Sequence, residues 1–335
     1  MDSLTWQELV SQPARWRQIT ERPVAFPPPW GRAADDVVVF GSGSSFYLAQ
    51  LVGEAIQDTT GHRVQVLPSC ELILDADRAL AIRAGRPCLA VAFSRSGEST
   101  EALIATQLLR DRGLAVMGVT CTAESSLAQH ADACLLVPEG AEDGLVMLRS
   151  FTGMLLACLR ALGQAGDAER LARAGEQTLQ DLQGPISALA NQRPFDRFVF
   201  LGSGADFPLA QEAALKLQEM AAVTTEAYYT LEYRHGPRAT GGANTLATMF
   251  TPALPEYGVS LVQDLKAQGL ATLVIGDTQP YAAAATAMAA TDAGLPARLR
   301  QILALLPIHL LAYATAIRRQ QDPGAPPNLA KVVLL

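Results

Sequence analysis

The sequence predicts an α/β fold of two tandem domains, each a parallel sheet between two layers of helices. Three observations support this prediction: strand-like and helix-like segments alternate, a glycine-rich strand-to-helix junction occurs twice, and 335 residues, 49% of them hydrophobic, suffice for two cores. The predicted parts are an N-terminal helix and linker, a first domain, a helical connection, a second domain and a C-terminal tail, at residues 1–33, 34–165, 166–190, 191–322 and 323–335.

The first domain shows the alternation most clearly. Its predicted strands are the apolar segments DDVVVF, HRVQVLP, PCLAVAF, LAVMGVT and ACLLVP, and its predicted helices are FYLAQLVGEAIQDT and STEALIATQLLRDRG. Such alternation is typical of a parallel sheet covered on both faces. The stretch from Arg149 to Gly184 is predicted to be helical, and the pattern restarts at DRFVFLGSGADFPLAQ. Residues 1–33 are predicted to form one amphipathic helix and a proline-rich link.

The two glycine-rich junctions are copies of each other. GSGSSFYLAQ begins at Gly41, GSGADFPLAQ begins at Gly202, and seven of the ten positions are identical. Since both follow a predicted strand, we infer a duplicated α/β unit. Ser44-Ser45 of the first copy is replaced by Ala205-Asp206 in the second. Because a carboxylate repels an anion, only the first copy is predicted to bind one.

A second hydroxyl-rich loop favours a phosphate ester as that anion. FSRSGEST also lies between an apolar strand and a helix, where free N–H groups and the helix dipole attract negative charge. The predicted phosphate-binding residues are Ser44, Ser45, Ser94, Arg95, Ser96 and Ser99. The alternative is that these serines only cap helices. A dinucleotide is not expected, since Phe46 and Phe207 replace the third glycine of Gly-x-Gly-x-x-Gly.

Composition narrows the possible partners and compartments. A net charge of −7 without a dense basic run argues against nucleic acid. Five scattered cysteines are typical of reduced thiols in a cytoplasmic protein, and four histidines without a His-x-x-x-His pair make a metal site unexpected. The N-terminus lacks the pattern of a signal peptide. The apolar stretch from Gln301 contains Pro307 and His309, which favours a buried, kinked helix over a membrane span.

GSGSS together with SRSGES resembles the sugar isomerase (SIS) domain family, which binds phosphosugars. The tandem arrangement is similar to the isomerase half of glucosamine-6-phosphate synthase and to its stand-alone relatives. The likeness covers nearly all of residues 35–335 and extends to EAALKLQEM, EYRHGP and PPNLAK. It implies flavodoxin-like domains, a hexose or hexosamine phosphate as substrate, no cofactor, and a homodimer whose active sites are shared between subunits.

The resemblance also implies catalytic roles. Glu219 would move a proton between C1 and C2 of the open-chain sugar, with Lys216 stabilising the enediolate or enolamine oxygen. Spacing alone favours another interpretation, because Glu212, Lys216 and Glu219 share one helix face and such rows are usually solvated.

Two further groups would open the sugar ring. His235 precedes a Gly-Pro pair, which predicts a turn, and lies sixteen residues after Glu219, as in the synthase motif. The resemblance implies that His235 shuttles a proton to the ring oxygen and comes from the neighbouring subunit. Lys331, in the tail motif NLAK, would assist, with the closing VVLL anchoring the tail.

One loop departs from the family. Relatives carry a small-residue loop resembling VASTK where this chain has LVMLRS, from Leu145 to Ser150. Leu145, Val146 and Met147 are predicted to shape the pocket, and Met147 and Leu148 to narrow it. The preferred sugar therefore stays open.

A glucosamine-6-phosphate deaminase-type enzyme is the first expectation. Glutamine-dependent synthesis is not expected, since the chain starts Met-Asp-Ser and lacks the N-terminal cysteine of a glutaminase domain. A plain aldose–ketose phosphate isomerase and a fructosamine-phosphate deglycase are close alternatives. A non-catalytic phosphosugar sensor is the alternative of another class, although residues 1–33 are short for a DNA-binding domain. A dehydrogenase ranks third.

Overall fold

Two sheets of five parallel strands, counted over the described residues, form the framework of the protein, and this confirms the predicted α/β class. The structure is a computed structural model that describes residues 3–28, 30, 36–80, 87–291 and 293–333. The chain divides into two compact units. The first-sheet unit is Ala14–Glu169 with Ala330–Leu335, and the second-sheet unit is Met1–Pro13 with Arg170–Leu329.

The first-sheet unit has the strand order β2-β1-β3-β4-β5, which is the flavodoxin-like order. Its strands occupy the predicted segments, although Asp35 lies outside the described residues. They are β1 Asp36–Gly41, β2 Arg63–Pro68, β3 Cys88–Phe93, β4 Ala115–Thr120 and β5 Ala133–Leu136. The helices are α2 Gln12–Glu21, α3 Ser44–Thr60, α4 Ser69–Leu74, α5 Ala76–Leu80, α6 Thr100–Asp111, α7 Ser126–His130 and α8 Arg149–Ala161.

The second-sheet unit repeats this architecture. Its strand order is β10-β9-β8-β6-β7, which matches the order of the first sheet when it is read from β7. Its strands are β6 Arg197–Gly202, β7 Thr224–Tyr229, β8 Thr245–Phe250, β9 Ala271–Gly276 and β10 Ala287–Ala290. Its helices are α1 Leu4–Val10, α9 Ala168–Gln192, α10 Phe207–Ala221, α11 Pro255–Ala267, α12 Ala297–Leu303 and α13 Leu305–Arg318. The first two residues of α9 belong to the first-sheet unit.

Three segments predicted as helical are interrupted. The N-terminal helix breaks at Ser11, since the ring of Pro13 would clash with a helical carbonyl four residues earlier. α8 and α9 are separated because Gly163 adopts φ 74°, the left-handed conformation that ends helices. The apolar C-terminal helix breaks at Ala304, three residues before Pro307. The last break confirms the predicted kink.

Close contact between strand and helix explains the glycines that the two junctions share. A Cβ atom on Gly41 would lie 2.6 Å from the carbonyl of Ser45, and one on Gly202 would lie 2.4 Å from the carbonyl oxygen of Asp206. Both distances are too short for any side chain. Each junction therefore keeps glycine whether or not it binds an anion.

One helical segment of the described chain, Ala297–Arg318, is long and apolar enough to cross a membrane by length and composition. However, 83% of its most apolar window is buried inside the protein. Its apolar side chains therefore pack in the core of the second-sheet unit.

Candidate active site

The two serine loops of the first-sheet unit follow neighbouring strands. β1 and β3 pair in parallel, so the loops after them meet at the carboxyl edge of the sheet. Since β2 lies to one side of β1 and β4 to the far side of β3, the strand order reverses between them. Open α/β sheets bind ligands at such a switch point. The structure thus brings the two loops to one crevice within this unit.

Hydrogen bonds within the loops show which hydroxyls are already used. Ser94 Oγ accepts from Gly97 N at 3.1 Å, and Ser96 Oγ accepts from Glu98 N at 3.1 Å. Ser99 occupies the N-cap position of α6, yet within the described residues its side chain makes no capping bond. Capping therefore does not account for the hydroxyl of Ser99.

The Ser45 hydroxyl contacts the loop that departs from the family. Ser45 Oγ lies 3.8 Å from Met147 Sδ, a weak hydrogen bond, and both Ser44 and Ser45 are buried. Of the other pocket-shaping candidates, Val146 is buried and Leu145 is half-buried. Met147 thus lies directly against the predicted phosphate loop.

A buried carboxylate that the sequence reasoning missed organises this departing loop. Glu142 accepts hydrogen bonds from Leu148 N at 2.7 Å, from Ser150 N at 3.2 Å and from Ser150 Oγ at 2.5 Å. It therefore fixes the start of α8 from six residues upstream. An acidic residue in a short polar stretch, here Glu142 beside Asp143, gives no sequence signal for this role.

Arg95 joins three segments of the first-sheet unit. Its guanidinium donates to Leu145 O at 2.9 Å and to Lys331 O at 3.0 Å, and lies 3.7 Å from the Glu142 carboxylate. These partners are protein groups on the departing loop and on the tail. The role of Arg95 as a phosphate ligand stays a prediction, and the structure adds a positional role that its sequence did not indicate.

The tail lies against the same loops. Lys331 Nζ donates to Glu142 O at 2.8 Å and to Asp143 O at 3.0 Å, and Thr100 N donates to Val333 O at 3.3 Å. Lys331 is thus held at the predicted phosphate-binding unit. Of the predicted VVLL anchor, residues 334–335 lie outside the described residues.

The charge row of α10 is buried. Lys216 Nζ lies 2.5 Å from Glu219 Oε2 and 3.3 Å from Glu212 Oε1, and the Lys216 and Glu212 side chains have no exposure. Only Glu219 is partly open, with 19% of its side chain exposed. The alternative of a solvated row is therefore wrong. Because buried charges are costly unless paired, this arrangement suits a carboxylate held in place for chemistry.

His309 lies in the buried core of the second-sheet unit and was predicted only as part of a core helix. Gln12 Nε2 lies 3.0 Å from its Nδ1. Burial, with the charge of Lys216 adding to it, lowers the pKa of His309 to about 3. The ring is therefore neutral at physiological pH and adds no charge beside Lys216.

The second glycine-rich junction holds a carboxyl group of its own. Gln301 Nε2 donates to Asp206 Oδ1 at 3.0 Å and to Ala205 O at 2.9 Å. Burial is the main cause that raises the pKa of Asp206. A carboxylate tied down in this position agrees with a copy that keeps the scaffold without the phosphate.

His235 and Glu219 belong to opposite faces of the second sheet. Side chains alternate along β7, so Thr225 and Tyr229 face one side and Tyr228 the other. Thr225 Oγ donates to Ala214 O of α10 at 3.0 Å, and the Tyr229 ring stacks on Phe207 at 3.8 Å between centroids. α10, which carries Glu219, thus covers that side.

The His235 loop covers the other side. The Tyr228 ring packs against Tyr233, two residues before His235, with centroids 5.5 Å apart. Tyr233 in turn joins the core cluster formed with Leu261 and Leu265 of α11. The structure therefore does not bring His235 to the Glu219 of its own chain.

These features agree with comparisons to known proteins. The profile of the SIS domain family matches residues 32–162. The chain is 35% identical over 289 residues to a Streptomyces coelicolor protein named "Putative D-galactosamine-6-phosphate deaminase AgaS", covering 78% of this chain and 74% of the relative. The chain therefore belongs to the SIS domain family.

A second curated relative and a solved structure are also similar to this chain. A glutamine–fructose-6-phosphate aminotransferase (isomerizing) of Pyrobaculum aerophilum is 30% identical over 320 residues; the match covers 90% of this chain and 52% of the relative, so the chain spans about half its length. The crystal structure of glucosamine-6-phosphate deaminase from Thermotoga maritima superposes with a TM-score of 0.83 at 28% identity, covering 99% of this chain and 100% of the other.

Proposed function

We propose that this protein is a phosphosugar isomerase/deaminase that converts an amino-sugar 6-phosphate to a ketose phosphate and releases ammonia. The observation that carries this proposal is the buried Lys216 beside Glu219 on α10. A carboxylate that is oriented by a buried ammonium and still partly open can reach a carbon acid. A protein that only senses sugars has no need for such a pair. The name of the 35% identical Streptomyces coelicolor relative, which specifies a galactosamine phosphate, supports an amino sugar as substrate.

The phosphate would be held by short neutral donors. Ser44, Ser45, Ser94, Ser96 and Ser99 come from the loops after β1 and β3, at the switch point of the first sheet. The starts of α3 and α6 add backbone N–H groups and the positive ends of two helix dipoles. These donors suit a phosphate monoester dianion and leave the sugar carbons free to react.

Proton transfer then follows a balanced sequence. Glu219 removes the C2 proton of the open-chain amino-aldose, the electron pair forms the C1–C2 double bond, and the C1=O π pair moves to O1, which takes a proton from water to give an enolamine. Glu219 returns its proton to C1 while the nitrogen lone pair forms the C2=N bond, which leaves a protonated imine at C2. Water adds to this imine, the C–N bond breaks, and ammonia leaves with the ketose phosphate. Lys216 keeps the Glu219 carboxylate oriented throughout, at 2.5 Å.

Ring opening would need a second copy of the chain. His235 lies on the face of the second sheet opposite to α10. We therefore assign the ring-opening His235 to the partner of a homodimer, with Lys331 assisting from the tail. The separation of the two residues within one chain supports this assignment.

The test measures ammonia and ketose phosphate after incubation with glucosamine-6-phosphate and galactosamine-6-phosphate. Glu219→Gln should lower the rate by at least about 10²-fold, while the exposed Glu256→Gln is the matched control. A Glu219→Gln protein as active as the parent would refute the assigned base. Isomerisation of neutral hexose phosphates without ammonia would favour a plain isomerase, and binding without turnover would favour a sensor.

Mixing inactive variants tests the shared site. In a heterodimer of Glu219→Gln and His235→Ala chains, one site would combine both wild-type residues. After subunit exchange, roughly a quarter of the parent activity should return. No recovery, with heterodimers verified by mass spectrometry, would place both residues in one chain's site.

A further inference from the structure

Three polar side chains on one face of α11 and its C-cap contact the loop that carries His235. Ser260 and Asp264 of α11 and the C-cap residue Gln268 are spaced by four residues, so they lie above one another along the helix. Each contacts the loop at residues 234–241. We infer that Ser260, Asp264 and Gln268 are positioning residues for His235. This inference rests on the proposed function, because it assumes that His235 moves a proton.

Asp264 joins the two arginines on either side of His235. Its Oδ2 lies 3.0 Å from Arg234 Nη2 and 3.7 Å from Arg238 Nη1. Arg234 Nη2 also donates to Ser260 Oγ at 3.1 Å. One carboxylate thus restrains the chain both just before and just after His235.

Gln268 holds the far end of the loop through the backbone. Its Nε2 donates to Arg238 O at 2.8 Å and to Gly241 O at 3.1 Å. At the near end, the buried Tyr233 ring fixes the loop in the core. Between these anchors His235 is exposed, and its neighbour Gly236 adopts φ 121°, which side-chain-bearing residues rarely adopt. The anchors therefore compensate for a flexible junction beside the proposed catalytic group.

The position of these contacts argues against a role in overall stability. The side chains of Arg234, Arg238 and Asp264 are 33%, 43% and 44% exposed. They border an open pocket of about 560 Å³. Ion pairs in such surroundings contribute little to folding and are weakened by salt. What they can do is limit the motion of a loop whose small displacement is costly to catalysis.

Hydrogen–deuterium exchange of the full-length protein tests the anchor directly. Asp264→Ala should speed exchange of the backbone amides of residues 233–241 by about tenfold, and Asp264→Glu should restore most of the protection. Gln263→Ala, an exposed neighbour on the same helix, is the control and should change nothing. High salt should speed loop exchange in the parent protein and have little further effect in Asp264→Ala.

Kinetics then separate this inference from the proposed function. Asp264→Ala should lower kcat by about tenfold with KM nearly unchanged, while its global unfolding midpoint stays close to that of the parent. Unchanged loop exchange overturns the anchor. Faster exchange with unchanged kcat overturns the positioning role if His235→Ala is inactive. If His235→Ala is fully active, the proposed role of His235 fails, and the positioning inference falls with it even though the anchor exists.

Discussion

Lys216 Nζ lies 2.5 Å from the Glu219 carboxylate and 3.3 Å from that of Glu212, and the lysine side chain is fully buried. One ammonium thus serves two carboxylates on the same helix. Glu212 is also fully buried, so its ion pair with Lys216 is shielded from water. The arrangement links the stability of α10 to the orientation of the proposed base.

Replacing Lys216 should therefore destabilise the second-sheet unit. Lys216→Met removes one partner of the buried Glu212–Lys216 ion pair and leaves the Glu212 carboxylate buried without that cation, at a cost of about 3–5 kcal/mol. Urea unfolding followed by circular dichroism measures this loss. Lys266→Met, an exposed lysine on α11, is the matched control. A loss below about 1 kcal/mol would show that the row behaves as a surface pair.

Adding Glu212→Gln to Lys216→Met should recover part of the stability. The double variant carries no buried charge at these two positions, and neutral groups of similar size are tolerated better than an unpaired ion. If the stability lost in the double variant equalled the sum of the losses in the two single variants, the pairing of Glu212 with Lys216 would be contradicted.

His309 should make stability depend on pH. Its pKa is lowered from 6.5 to about 3 in the folded protein, mainly by burial, so the unfolded chain binds the proton first as pH falls. The stability from its neutral ring is complete above pH 6.5 and is lost as pH falls toward 3. The loss reaches about 1.4 kcal/mol per pH unit within that window.

The measurement compares unfolding free energies at several pH values for the parent and for His309→Gln. Glutamine fills a similar space without titrating, so the difference in slope between the two isolates His309 from the carboxylates. Equal slopes for the parent and His309→Gln would contradict the lowered pKa.

The strands of the first sheet could be predicted from the sequence because its central strands are covered on both faces. β1, β3 and β4 are buried along nearly their whole length, so they appear as uninterrupted apolar runs. The duplicated junction was visible for a related reason, since Gly41 and Gly202 each meet a helix too closely for any side chain. Positions where packing permits only one residue type therefore give the clearest sequence pattern.

Long-range polar contacts could not be predicted in the same way. Glu142 bonds to groups six and eight residues away in an irregular loop, and Arg95 reaches a tail residue 236 positions later. Neither contact follows a helical or strand period. The burial of Lys216 was equally invisible, because spacing alone defines a helix face without saying what covers it.

Met147 should control which sugars fit. Its sulfur lies 3.8 Å from the Ser45 hydroxyl, so a smaller residue both widens the pocket and releases a donor for the phosphate. Met147→Ala should raise kcat/KM for bulkier hexosamine phosphates by about tenfold relative to glucosamine-6-phosphate. Steady-state kinetics with a panel of hexosamine phosphates measures the ratio. Leu74→Ala, at an exposed site, is the control and should leave the ratio unchanged.

Ser99 offers the sharpest distinction between a phosphate ligand and a helix cap. It occupies the N-cap position of α6, yet among the described residues its side chain makes no capping bond, whereas Ser125 at the start of α7 accepts from Ala128 N at 3.3 Å. Ser99→Ala should therefore change the unfolding free energy by less than about 0.5 kcal/mol. It should nevertheless weaken phosphosugar binding by about 10- to 100-fold, the value of one hydrogen bond to a charged group. Ser125→Ala, by contrast, removes a cap and should lose about 1 kcal/mol of stability. Calorimetric titration with a hexosamine phosphate, beside urea unfolding, measures both quantities. If Ser99→Ala lost stability and kept its affinity, the hydroxyl would be a cap in solution and the phosphate grip would lose a ligand.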